Sequence, residues 1–143
     1  MSINMFVVRL ILYFLNRKEK RKMERTKNFK IGERSFIAKF PNVGQLIDLE
    51  SYKQSLTNGR YGQMAASGIR SQYYALDLID AIVFFQVVTP EVGKYFDIAN
   101  YANISLEKAK PLIEVYQTEI RPWFESTMNE LKGIAADGNE KEE

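Results

Sequence analysis

IRSQYYALDLIDAIVFFQVV, Ile69 to Val88, is the stretch that decides the fold. Ile69, Tyr73, Leu76, Ile79, Val83 and Val87 recur at helical spacing, and Phe84 and Phe85 widen the stripe they make. A helix apolar over so much of its circumference must be enclosed by other elements. It is therefore predicted as the central helix.

On its N-terminal side, Asn28 to Phe40 (NFKIGERSFIAKF) reads as a β-hairpin. Phe29 and Ile31 share one face of a first strand, and Phe36, Ala38 and Phe40 share one face of a second. Gly32-Glu33 forms a two-residue turn, with glycine where φ must be positive. Pro41 ends the pairing because it has no N–H. Asn42 caps a helix running to about Leu56, whose buried face is predicted from Val43, Leu46, Ile47, Leu49, Tyr52 and Leu56. Asn58-Gly59 supplies a left-handed stop, and RYGQMAASG follows as a loop.

On its C-terminal side, Thr89-Pro90 reads as N-cap and N1 of a short helix, the position where proline costs least. A further helix starts near Leu106 or Lys110 and reaches Ile120. A kink or break is expected at Arg121-Pro122, because Pro122 removes a donor and crowds the preceding turn. A last piece carries Trp123, Phe124, Met128 and Leu131 and ends at Gly133. The expected class is mainly α (α+β): an N-terminal hairpin, then a compact bundle of about four helices. Residues 28–133 form the single globular domain, and 134–143 are expected to be a disordered acidic tail.

Composition prunes the chemistry. Apolar residues make up 45% of the 143, enough for a genuine core rather than disorder. There is no cysteine and no histidine. Thiol and Ser-His-Asp nucleophiles, Cys- or His-ligated metals and histidine pH switches are thereby excluded. No cofactor site and no enzymatic activity are expected. The glycine-bearing loop Gly59–Gly68 lacks the Lys-Ser/Thr ending of a phosphate loop and joins two helices, so its glycines read as turn and packing residues. Exposed Arg60 and Tyr61 remain available there to touch a partner. Asp77 and Asp80, three apart on the long helix, read as a solvated face or as partners for Arg70 and other bases. Glu114, Glu119 and Glu125 read as surface charges.

Charge is unevenly spread. Residues 1–22 hold six basic groups and one acidic, a balance of +5, whereas residues 23–143 hold fourteen and seventeen, a balance of −3. The body gives no general invitation to nucleic acid. The run Met5–Leu15 is roughly 16 Å long as a helix, too short for a bilayer core of about 30 Å. It is a poor secretory signal, because its basic residues follow the apolar stretch. An interfacial helix with a basic collar stays open. So does a second reading, in which RKEKRK before Met23 is a translated purine-rich ribosome-binding tract. Met23 is then an alternative start, and 1–27 a leader outside the native protein; intact mass of the native product tests this. No membrane partner is expected unless residues 1–22 are genuine.

Three adjacent aromatic pairs, Tyr73-Tyr74, Phe84-Phe85 and Trp123-Phe124, cannot each face one side, since neighbours on a helix differ by about 100°. One member of each is expected to be lateral or exposed, which hints at a second protein surface.

From Phe29 to Leu131 the chain resembles the small tail assembly chaperones of long-tailed bacteriophages. The resembling features are the hairpin NFKIGERSFIAKF, the helix start FPNVGQLIDLE, the segment ALDLIDAIVFFQVVTPEV and the closing stretch from Tyr116 to Pro122-Trp123. The resemblance implies a non-enzymatic protein in the bacterial host cytoplasm that coats the aggregation-prone tape-measure protein and self-associates as a homo-oligomer. The residues expected to face the partner are Arg60, Tyr61, Met64, Tyr74, Phe85 and Trp123. Alternative readings are a virion structural protein, such as a head–tail connector or tail-completion protein, and a membrane-surface or nucleic-acid adaptor using the basic N-terminus.

Overall fold

The computed structural model describes residues 7–12 and 25–140, with side chains through 132. Residues 7–12 are helical and leave Val7, Leu10, Ile11 and Leu12 exposed. Most of the basic run, and Met23 with it, lies outside the described residues.

An antiparallel hairpin opens the fold, with β1 at Thr26–Ile31 and β2 at Arg34–Lys39. Gly32 takes φ +64°, as the two-residue turn requires, and this sets Phe29 opposite Phe36. Phe29, Ile31, Phe36 and Ala38 are all buried, so one strand face makes the floor of the core as expected.

Helix α1 spans Val43–Thr57. Its start is a reciprocal capping box: the Gln45 N–H donates to Asn42 Oδ1 at 2.9 Å, and the Asn42 N–H to Gln45 Oε1 at 3.0 Å. It stops where Asn58 turns left-handed (φ 52°) and the Gly59 N–H reaches back to the Gln54 carbonyl at 2.8 Å. The segment after it is not a plain loop. Tyr61–Ala66 forms a short helix, α2.

Helix α3, Arg70–Val87, is the central element. It runs antiparallel to α1, tied by Gln45 Nε2 to the Val87 carbonyl at one end and by Lys53 to Asp80 further along. Phe84 and Phe85 are both buried, so the expectation that one of them stays lateral fails. The reason is cover on two sides. Phe85 meets the hairpin at Phe29 (6.1 Å between rings), while Phe84 meets Tyr116 (5.7 Å) and Phe124 (6.1 Å).

Pro90 sits at N1 of helix α4, Pro90–Tyr95. Thr89 precedes it but makes no side-chain cap; its hydroxyl donates back to the Phe85 carbonyl at 3.5 Å. A 3₁₀ turn at Tyr101–Asn103 leads to helix α5, Leu106–Val115, capped by Ser105. The expected break before Pro122 takes the form of a π-helical turn, Tyr116–Ile120, continuous with helix α6, Arg121–Glu140. The Arg121 N–H bonds the Tyr116 carbonyl five residues back. Widening the helix by one residue makes room for the proline ring without severing it.

Helix α6 also corrects the expected stop at Gly133, since it continues to Glu140. Each of the glycines inside it, Gly133 and Gly138, costs only about 1 kcal/mol relative to alanine, and Leu131 and Lys132 before the first favour helix.

Candidate functional site

Two features of the surface and its underside could carry function. One is a polar junction where α1, α2, α3 and the start of α6 meet. Tyr61 donates its hydroxyl hydrogen to Asp80 Oδ1 at 2.6 Å. Arg121 donates to Asp77 Oδ1 at 2.9 Å and stands 3.7 Å from Asp80 Oδ2. Lys53 lies 3.9 Å from Asp80 Oδ1 and pairs with Glu50 at 3.1 Å. The two cations also cover rings, Lys53 that of Tyr61 and Arg121 that of Tyr116.

Burial raises the Asp80 carboxyl above its ordinary value, opposed by the Tyr61 hydrogen bond, Lys53 and Arg121 and helped by Asp77. Tyr61 is raised too, by burial first and then by its bond to Asp80, so it stays a protonated donor. Burial pushes Tyr116 up to about 12. Every charge in the junction faces an opposite charge. Such an arrangement can lock four elements together. Among the described residues no group of three acidic, histidine or cysteine side chains could hold a metal ion.

The second feature is a set of apolar pairs left in solvent. Val43 and Ile47, Tyr52 and Leu56, Ile69 and Tyr73, and Tyr74 and Leu78 are each four residues apart and exposed. The first two pairs overturn the expected buried face of α1, where only Leu49 is buried among those apolar residues, with Leu46 half-buried. Tyr74 and Leu78 prolong the stripe that Ala81, Phe85 and Val88 bury further along α3. Phe29 of the hairpin meets Phe85 on the C-terminal half of that stripe, whereas Tyr74 and Leu78 at its N-terminal end stay exposed.

The residues expected to face a partner divide accordingly. Tyr74 is 62% exposed. Arg60 is exposed, with Nε donating to the Thr57 carbonyl. Met64 is half-buried, and so is Tyr61, whose hydroxyl is committed to Asp80. Trp123 is half-buried edge-on to Phe40. Phe85 is the correction: at 0% exposure it is core and cannot anchor a partner. Asp77 and Asp80 find Arg121, Lys53 and Tyr61 rather than Arg70. Glu114, Glu119 and Glu125 are exposed as expected.

Three cavities of about 250, 350 and 450 Å³ adjoin the loop 97–100, and Ile98 lines all of them. The smallest is walled by Ile31, Phe96, Pro111 and Leu112, with Lys108 beside them. Buried in the wall of another, the Tyr101 hydroxyl finds no hydrogen-bond partner among the described residues, and burial raises it to about 12. Gly93 gives it room, since a β-carbon there would stand 3.2 Å from that oxygen.

No protein-family model, curated protein or solved structure matches this chain.

Proposed function

We propose that this chain is a non-enzymatic assembly protein, a tail assembly chaperone of a long-tailed bacteriophage. On this reading it works in the host cytoplasm and holds its tape-measure protein through exposed apolar and aromatic side chains. The observation that carries the reading is the set of exposed apolar pairs, three of them within α1 and α3 and a fourth joining Ile69, the residue before α3, to Tyr73. A pair at i and i+4 presents two side chains side by side, the unit with which one helix grips another. Single exposed apolar residues are ordinary, whereas several such pairs on two scaffold helices favour a surface for a partner. The charged junction supports the same reading, because it fixes α1 against α3 without spending those pairs.

Co-expression tests it. The tape-measure protein is expected to stay soluble with the wild-type chain and to precipitate beside a variant carrying Tyr74→Ser and Leu78→Ser. Equal solubility with both would sink the reading. Purified particles separate it from a virion component: a chaperone is abundant in the lysate and missing from the particle.

A further inference from the structure

The hairpin has an open edge whose geometry fits a second copy of itself. In an antiparallel ladder, bonded and non-bonded pairs alternate. The pair Ile31–Arg34 closes the two-residue turn, and the Phe40 N–H donates to the Arg25 carbonyl at 2.8 Å in the same register. Arg34, Phe36, Ala38 and Phe40 therefore turn their backbone groups toward β1. Those of Ser35, Ile37 and Lys39 point away, and among the described residues no hydrogen bond reaches them.

Soluble proteins blunt such edges with lysine, proline or a bulge. Here the middle of the edge is Ile37, 63% exposed on the solvent face. The edge of β1 carries one lysine like that of β2, but its middle outward position is the polar Asn28 where β2 has Ile37.

We propose that β2 pairs edge to edge with β2 of a second copy, antiparallel about a two-fold axis through Ile37, to make one four-stranded sheet. In that register Ile37 meets its own counterpart, and Ser35 stands opposite Lys39. On the core side Phe36 falls opposite Ala38, large against small. No like charges meet directly, because Arg34 is held 4.8 Å over the Tyr95 ring and would face Phe40. A shift of two residues one way brings Pro41, which has no N–H, opposite Ser35. The same shift the other way brings Glu33 opposite Lys39, a favourable charge pair, but Glu33 lies in the turn outside the strand, so that register pairs one outward strand residue fewer. The edge is thus self-complementary in the register centred on Ile37, the condition for an isologous dimer. The pairing gives the expected self-association a surface, and it stands or falls separately from client binding.

The full chain tests it, and because it holds no cysteine a single introduced thiol reports cleanly. Directly opposed residues in a bonded pair lie about 5.5 Å apart at Cα, within disulfide reach. Ile37→Cys is expected to oxidise to a covalent dimer at least about tenfold faster than Ile47→Cys, a comparably exposed position at 61%. By sedimentation equilibrium the wild type should weigh twice 16.6 kDa. Ile37→Lys, which sets like charges face to face, should weaken the dimer about 100-fold with an unchanged far-UV spectrum. A wild type that stays monomeric, equal oxidation of the two thiols, or a dimer indifferent to Ile37→Lys overturns the proposal. Should Ile37→Lys unfold, the two oxidation rates decide alone.

Discussion

The Tyr61 hydroxyl and the Asp80 carboxylate, 2.6 Å apart, join the short helix α2 to the central helix α3 at a point where α1 and α6 also arrive. Removing the donor tests how much that contact holds. Tyr61→Phe leaves a half-buried carboxylate with weaker partners and should cost about 1–2 kcal/mol in urea denaturation. A change within error would mean that Lys53 and Arg121 satisfy Asp80 unaided.

Asp80 also sets a pH dependence. Its carboxyl is held above the ordinary value of 3.8 by burial, so the folded chain keeps that proton to a higher pH than the unfolded chain does. The contribution is complete below the unfolded value and is lost as pH rises through the folded one. Asp80→Asn has no such group. On acidification from about pH 7 toward about pH 4, the wild type should therefore gain stability relative to Asp80→Asn. Urea midpoints across that range measure the trend; a relative loss would show that Arg121 and Lys53 dominate burial.

Helix α4 ends on Asp97 in the left-handed region, φ 54°, with the Ile98 N–H bonded to the Gly93 carbonyl at 2.8 Å. This is the position glycine usually fills. Asp97→Gly should stabilise the chain by about 0.5–1 kcal/mol, read as a raised thermal midpoint.

Tyr74 and Phe85 lie on the same stripe of α3 but on opposite sides of the boundary between surface and core. Tyr74→Ala should change stability by no more than about 0.5 kcal/mol. Phe85→Ala should cost about 3–5 kcal/mol, since it empties the space between Phe29 and Tyr116. Denaturant curves of the two variants locate the boundary.

What the sequence revealed was whatever short-range chemistry decides. The Gly32-Glu33 turn, the Asn42 cap, the Asn58-Gly59 stop and the Thr89-Pro90 helix start depend on neighbours a few residues away, and each is where the sequence puts it. The apolar face of α1 was misread because periodicity shows that Val43, Ile47, Tyr52 and Leu56 share helical spacing, not which side has a neighbour. Phe85 failed similarly: two elements distant in sequence cover α3 on both flanks. The position of the Pro122 disturbance was legible but its π-helical form was not, since only the backbone chooses between breaking and widening. The junction was hidden by distance. Tyr61 reaches Asp80 across 19 positions and Arg121 reaches Asp77 across 44, with no motif linking them.

The most direct test of the client-binding surface is the affinity of purified tape-measure fragments for the wild-type chain and for a variant with Ile47→Ser, Leu56→Ser, Tyr74→Ser and Leu78→Ser, by titration calorimetry. These four positions are exposed, so the variant should keep the wild-type thermal midpoint within a few degrees, and binding should weaken by about 100-fold or more. A variant that folds normally and binds as tightly as the wild type would contradict the account.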